Sequence, residues 1–406
     1  MKIVADENIP YLDQFFGSFG EIIKLPGRGI DAAAVQHADV LLVRSITQVD
    51  ESLLKNSTVD FVGSATIGTD HIDIEYLNSK GVRFSNAPGC NADSVVQYVL
   101  AAMLHLSQFY GFDIGSKSVG IIGYGNIGSR LQRSLIALGI KTKVYDPFMP
   151  SGTTESLVCF DEVIQTDLVT LHVPFSTTGE HPTHHMINEQ VLANMSPNTV
   201  LINSSRGAVI DNTALLKSLM QNPRPVILDV WENEPNIEWR LLEHLILATP
   251  HIAGYSAEGK ARGTEMLYQA LVKRLGQDAE ITLDQIMPVA PISQVIFSEE
   301  ALSRELRNPI GILSQLISCC YNIEADDKRL RLAQQTDSDK RVKSDNQPDR
   351  DQQFDLLRKN YGGRREFCSL ELQLDEQAPS DSSQLIKTLE TLGFKMKPQK
   401  NSRADA

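Results

Sequence analysis

Cysteine is scarce in this chain and poorly placed for cross-linking: Cys90, Cys159, Cys319, Cys320 and Cys368 are five in 406 residues, odd in number and without a C-x-x-C pair. A disulfide framework is excluded, a zinc site gains no support, and reduced cytosolic thiols fit best. Positive charge is short as well. Thirty-eight basic residues against 51 acidic ones leave a net charge of −13, which opposes non-specific attachment to nucleic acid or anionic lipid. Long apolar runs are also missing: Met1-Lys2-Ile3-Val4 leads straight to Asp6 and Glu7 without a signal-peptide core, and no run approaches the ~20 residues of a membrane span. A soluble cytoplasmic protein is expected, with neither nucleic acid nor membrane as partner. Any anionic ligand must be held by local cations.

What is present is globular material, 42% hydrophobic and long enough for two or three domains. The most informative stretch runs from Ser118 to Asp146. An apolar run, Val119-Gly120-Ile121-Ile122, breaks into Gly123-Tyr124-Gly125-Asn126-Ile127-Gly128, then into helix-like sequence to Gly139, and Lys143-Val144-Tyr145 ends at Asp146. Strand, tight turn, helix, strand and closing carboxylate form the dinucleotide-binding layout. Gly123 makes the turn, Gly125 lets backbone approach a pyrophosphate, and Gly128 permits close packing, while the helix N-terminus offers N–H groups and a positive dipole end. Asp146 would accept from the adenosine ribose hydroxyls and repel a 2′-phosphate. With Pro147-Phe148 following it, NAD is the expected cofactor.

Residues 1–92 read as the first part of a small α/β substrate domain, with strands at Lys2–Ala5, Val40–Val43 and Phe61–Gly63 and polar loops after them, Arg44-Ser45 and Ala65–Asp73. Asp70, His71 and Asp73 are read as turn chemistry and helix capping. A long helix is expected over Ser94–Tyr110. The cofactor domain spans 93–254, its further strands at Leu168–Val173, Val200–Asn203, Val226–Val230 and Ile246–Ala248, with a capped helix over Asp161–Asp167. Residues 255–285 return to the first domain. His181, His184 and His185 cluster in a loop but lack a carboxylate or Cys at ligand spacing, so no metal is expected.

The alternation stops after about residue 286, and 286–406 reads as an appended α+β module. A charged segment at 326–351 is expected to be a loop, Ser369–Leu374 alternates like a strand, and Ser383–Leu392 has the pattern of an amphipathic helix. So small a module, with little core, suggests a homodimer. Its Arg364-Arg365 pair is expected either to be solvated or to reach a partner's cleft, with Arg44 the other candidate cation.

Three polar residues close successive strands: Arg206 in Asn203–Gly207, Glu234 in Asp229–Pro235 and His251 in Thr249–Gly254. Hydride removal from a secondary alcohol needs a base for the hydroxyl proton, a carboxylate to orient that base, and a planar cation for a substrate carboxylate. These motifs, N-x-x-R-G, D-V-x-x-x-E-P and P-H-x-A-G, resemble those of the D-isomer-specific 2-hydroxyacid dehydrogenase family over residues 40 to 265. The resemblance implies a doubly wound Rossmann NAD domain, a flavodoxin-like substrate domain, and Arg206, Glu234 and His251 as catalytic residues. It further implies NAD contacts at Gly123, Gly125, Asn126, Ile127, Gly128, Asp146, Val173, Ser204, Ser205, Arg206, Asp229 and Gly254. Ser45, Thr66 and Tyr255 would line the substrate, a phosphorylated 2-hydroxy acid, with Arg44 toward its phosphate. The alternatives left open are another phosphorylated acid of the same kind, such as phosphoglycerate, and an NAD-sensing scaffold.

Overall fold

A computed structural model of the chain describes residues 1–297, 308–335, 349–374 and 383–397. It forms two compact units, one of Met1–Ala92 with Tyr255–Val289 and the other of Asp93–Gly254 with Ala290–Ala406. Among the described residues no helix is long and apolar enough to cross a membrane.

The first unit is built on a parallel sheet of β1 (Lys2–Asp6), β2 (Glu21–Leu25), β3 (Val40–Val43), β4 (Phe61–Ser64) and β5 (Arg83–Asn86), in the order β2-β1-β3-β4-β5. That is the flavodoxin-like order. The central strands β3 and β4 are buried along their whole length, as strands covered on both faces must be. Short helices precede β3 and follow β3 and β4, and Asp31, Asp50 and Asp73 each cap one by accepting a backbone N–H in the first turn. The returning helix Ala257–Arg274 buries Leu267, Tyr268 and Leu271 against Phe15, Phe16 and Phe61. Gly63 leaves the room for this, since a Cβ there would lie 3.2 Å from Leu267.

The second unit holds β6 (Ser118–Ile122), β7 (Lys141–Tyr145), β8 (Leu168–Leu171), β9 (Val200–Asn203), β10 (Val226–Leu228) and β11 (Leu247–Ala248), all parallel, in the order β11-β10-β9-β8-β6-β7. Beyond β7 a single bridge joins Val144 to Leu157, a remnant of the strand that completes the usual dinucleotide-binding order. The long helix runs Ala92–Tyr110, two residues earlier than its sequence pattern suggested. Helix Phe160–Val163 starts before Asp161, so that carboxylate sits in the first turn rather than capping it.

A third parallel sheet, β12 (Gln294–Phe297), β13 (Glu371–Leu374) and β14 (Lys395–Met396), lies within the same unit. The C-terminal module is thus not a body apart: Leu330, Ala333 and Phe354 join the core of the six-stranded sheet. Helix Ser383–Leu392 buries Leu385, Leu389 and Leu392, and Thr388 bonds to the Ala137 carbonyl at the end of helix Asn126–Ala137. The expectation of a loop from 326 is corrected, because Ile323–Gln335 is a helix with Asp326, Leu330 and Ala333 buried. Its apolar positions are too widely spaced to stand out in so charged a sequence. Residues 336–348 of that segment lie outside the described residues.

Candidate active site

The glycine turn leaves β6 at the point where the strand order reverses, the position at which doubly wound sheets hold ligands. Gly123 has φ +95°, and a Cβ there would meet the His172 carbonyl carbon at 2.7 Å. At Gly128 a Cβ would lie 2.0 Å from the Gly123 oxygen, so helix and strand pack at a distance only glycine permits. Gly125, by contrast, would direct a Cβ into open space. Gly125 is also the N-cap of the helix that Asn126 and Ile127 begin, and no side chain caps that terminus. Asp146 closes β7 with its oxygens oriented by two amides, Tyr124 at 2.8 Å and Phe148 at 3.0 Å. Two bonds leave acceptor capacity on both oxygens. Val173 sits against the turn, 3.0 Å from the Gly123 Cβ position.

Across the sheet, β9 delivers Ser204, Ser205 and Arg206. Asn203 Oδ1 accepts from the Ser205 amide and hydroxyl at 3.0 and 2.9 Å, and Asn203 donates to the Arg206 carbonyl at 2.9 Å. Arg206 Nη1 donates to the Ser205 carbonyl at 2.8 Å. Among the described residues the buried Ser204 hydroxyl has no hydrogen-bond partner, a placement that suits a ligand-facing group. Gly207 lets this loop meet the next, for a Cβ there would lie 1.9 Å from the Trp231 carbonyl. An open glycine turn at an uncapped helix N-terminus, an oriented carboxylate and an orphaned hydroxyl together fit a dinucleotide.

The loop after β10 carries Glu234, and the loop after β11 carries His251. His251 Nδ1 and Glu234 Oε2 are 2.7 Å apart. Because a carboxylate only accepts, Nδ1 carries the proton, which in the neutral ring leaves the lone pair on Nε2. Glu234 Oε1 accepts from the Trp231 amide at 2.9 Å. Burial works against the charged carboxyl, but the His251 ring and the Arg358 guanidinium outweigh it and hold Glu234 below the usual carboxylate range. His251 itself adopts φ +57°, a left-handed conformation uncommon outside glycine and asparagine.

Asp229 secures that conformation. Its carboxylate accepts from Thr249 Oγ1 at 2.6 Å and from the amides of Ile252 and Ala253 at 2.8 and 2.9 Å, while its carbonyl takes the His251 amide at 2.6 Å. It is buried, and burial pushes its carboxyl above the ordinary range despite these donors. Asp229 therefore braces the loop that ends at Gly254, a role its place in a cofactor motif did not reveal.

Glu232 belongs to a different cluster. His185 Nε2 lies 2.6 Å from its Oε1, and its Oε2 accepts the Asn212 amide at 2.8 Å. His184 stacks on His185 with ring centroids 3.9 Å apart. A carboxylate from a loop 47 residues away thus joins the histidines, which the spacing along the chain could not show. His172 stands elsewhere, buried beside Thr170 and held by burial at a pKa of about 3.

In the first unit, Arg44 and Ser45 follow β3, and Thr66 follows β4. Arg44 Nε is 3.1 Å from Asp6 Oδ2, and Asp6 is fully buried. Thr66 Oγ1 lies 2.7 Å from Ser64 Oγ, which is 2.9 Å from His71 Nε2. His71 is buried, which lowers its pKa, with Asp70 opposing. It supports the Thr66 hydroxyl, while Asp73 caps helix Ile74–Ser79. Lys260, absent from the expected site, lies 4.6 Å over the Tyr255 ring, and burial together with nearby Arg44 lowers its pKa.

Arg364 contradicts the expectation of a cation that is either solvated or reaching a partner. It is 4% exposed, donates to the Ser94 and Ala253 carbonyls, and stacks 3.9 Å over Tyr321. A buried arginine whose two terminal nitrogens donate to internal carbonyls is a structural brace.

Comparison with known proteins agrees with this geometry. A model of the D-isomer specific 2-hydroxyacid dehydrogenase NAD binding domain matches residues 97–253, and a "Domain of unknown function (DUF3410)" matches 287–393. The chain belongs to the D-isomer-specific 2-hydroxyacid dehydrogenase family, whose members are NAD-dependent oxidoreductases. It is 43% identical to the erythronate-4-phosphate dehydrogenase of Hahella chejuensis, over 98% of this chain and 99% of that protein. To the protein of the same name from Marinobacter nauticus it is 44% identical, over 98% and 100%. Among solved structures, the D-lactate dehydrogenase of Aquifex aeolicus, complexed with NAD and lactic acid, aligns with a TM-score of 0.57 at 23% identity, covering 70% of this chain and 97% of that one. The 3-phosphoglycerate dehydrogenase of Entamoeba histolytica gives 0.57 at 23%, covering 70% and 98%. At such identity the structural likeness speaks for the fold.

Proposed function

We propose that this chain oxidises 4-phospho-D-erythronate to (R)-3-hydroxy-2-oxo-4-phosphobutanoate with NAD, within the formation of pyridoxal 5′-phosphate. Near full-length identity to enzymes of that name supports the substrate, and the hydrogen bond of 2.7 Å between His251 and Glu234 carries the chemistry. The glycine turn and Asp146 would hold NAD, which when bound would supply the acceptor for the hydride leaving the carbinol carbon. His251 takes the hydroxyl proton at Nε2, and Glu234 steadies the imidazolium that results. Arg206 holds the substrate carboxylate and polarises the forming carbonyl.

Ser45, Thr66 and Tyr255 contribute the polar contacts to the remaining hydroxyls. In a chain of charge −13 the phosphate dianion needs local cations, and Arg44 with Lys260 supplies two in the first unit. The protein acts in the cytoplasm as a homodimer. The five scattered cysteines suit that compartment, and the exposed apolar Ile292 and Ile296, before and on β12, 44% and 62% accessible, suit self-association.

The test is NADH absorbance with a panel of 2-hydroxy acids, each with and without its terminal phosphate, and with NADP in place of NAD. Turnover highest on 4-phosphoerythronate is the expected result. A preference for 3-phosphoglycerate, or for unphosphorylated acids, would reassign the substrate, and no turnover on any acid would favour a sensing role.

A further inference from the structure

The proton-transfer pair is contacted by a residue far along the chain. Arg358 stands in the last turn of helix Arg350–Lys359, and its Nη1 lies 3.4 Å from Glu234 Oε2, the same oxygen that faces His251. The two side chains are 26% and 16% exposed, so water screens the charge only partly. We propose that Arg358 is a positioning residue of the dehydrogenase reaction, holding Glu234 toward His251 and setting the charge balance of the pair from the C-terminal module.

The helix that carries it is anchored on the catalytic unit itself. Phe354 is fully buried in the core of the six-stranded sheet with Leu357 packed beside it, and Asp351 Oδ1 accepts from Trp239 Nε1 at 3.0 Å. Just beyond the helix, Tyr361 donates to buried Asp326 at 2.8 Å, and Arg364 grips the carbonyl of Ala253 in the His251 loop at 2.9 Å. One segment, residues 350–364, therefore touches both loops that bring the pair together. A module that served self-association alone would not need a cation on the catalytic carboxylate.

Electrostatics gives the sign. Glu234 faces His251 and Arg358, and His251 faces Glu234 and Asp229, behind which lie Tyr98 and Tyr361. Arg206 stands at the end of the neighbouring strand β9, and Glu232 faces His185 instead. A guanidinium beside Glu234 offsets part of the negative charge that His251 experiences, so it opposes holding a proton on the ring. Remove that charge and the ring keeps its proton to higher pH. In the oxidation direction His251 must start neutral, and the acid limb of kcat/KM moves up.

This inference rests on Glu234 and His251 being the proton-transfer pair. The experiment records pH profiles of kcat/KM for NAD-dependent oxidation by the full-length protein with Arg358→Gln, Arg358→Met and Arg358→Lys. In the Gln variant the acid limb should rise by ~0.5–1 unit, the reach of one partly screened charge, with the NAD dissociation constant unchanged, whereas Lys should keep the parent's limb. The Met variant should match Gln, and it decides the matter should Gln fail to fold. In the background of Glu234→Gln the same Arg358 change should move the limb much less, since the carboxylate it offsets is gone. A limb that stays put in both neutral variants, or moves equally in Lys, overturns the proposal. Loss of turnover in the parent protein on every acid tested would instead overturn the functional reading.

Discussion

The glycine turn and the proton-transfer pair sit in the same unit yet are built by opposite means. Most of what shapes the turn lies between Ser118 and Phe148: a strand, three glycines, a helix and the carboxylate whose oxygens the amides of Tyr124 and Phe148 orient. The pair is assembled from separate places. Glu234 and His251 are 17 residues apart, Asp229 braces the histidine's loop, and Arg358 and Arg364 arrive from 124 and 111 residues beyond their partners. A binding turn needs only backbone geometry, which a short run can encode. Proton transfer needs charges balanced in three dimensions, and those can come from anywhere in the chain.

His251→Asn should break this pairing most sharply. Asparagine tolerates the left-handed backbone at φ +57° and can still bond to Glu234, so the loop should hold while the base is lost. Turnover should fall by roughly 10²–10⁴-fold, the usual worth of a general base, with NAD affinity nearly unchanged in a fluorescence titration. An equal loss of NAD affinity would mean that turn and pair are one structure rather than two.

Next in size is Arg44→Gln in the first unit. KM for the phosphorylated acid should rise by about 10- to 100-fold, the scale of a lost charged hydrogen bond, while the dephosphorylated analogue is unaffected. Equal effects on both would mark Arg44 as no more than the partner of buried Asp6.

Asp146→Ala tests the turn. It should weaken NAD by about tenfold through lost ribose contacts and narrow its advantage over NADP. An unaltered ratio of the two cofactors would place specificity elsewhere.

The subtlest effect is expected for Glu234→Gln. The carboxylate favours the protonated form of the pair, so its removal should move the acid limb of kcat/KM for oxidation to lower pH by ~1 unit. Arg358→Gln should move it the other way, and opposite signs at two residues touching the same oxygen would be hard to explain by misfolding. A profile that does not move for Glu234→Gln would leave the orienting role unassigned, since Glu232 is committed to His185.

Much of the fold was legible because the central strands are mostly apolar: Val40–Val43, Leu168–Leu171 and Val200–Asn203 are buried throughout. The edge strands of the first sheet were not. Glu21–Leu25 and Arg83–Asn86 carry exposed or half-buried positions and present no apolar run. The same reason hid helix Ile323–Gln335, whose few buried residues are scattered among charges. At the site, Arg206, Glu234 and His251 announce themselves because strand ends in an α/β sheet are where chemistry is placed. Lys260 did not, since a lysine in a helix reads as solvent-facing until the fold buries it beside Tyr255 and Arg44.

By itself, then, the sequence determined the two parallel sheets and the cofactor turn with its carboxylate, because each is written in short stretches whose periodicity or glycine spacing has one physical solution, and it offered Arg206, Glu234 and His251 as candidates from their places at strand ends. Only the tertiary structure decided which carboxylate faces His251, that Asp229 braces its loop, that Arg364 is buried rather than free, and that Arg358 stands on Glu234. Those pairings depend on distances between loops and helices far apart in the chain, and no local pattern constrains a distance of that kind.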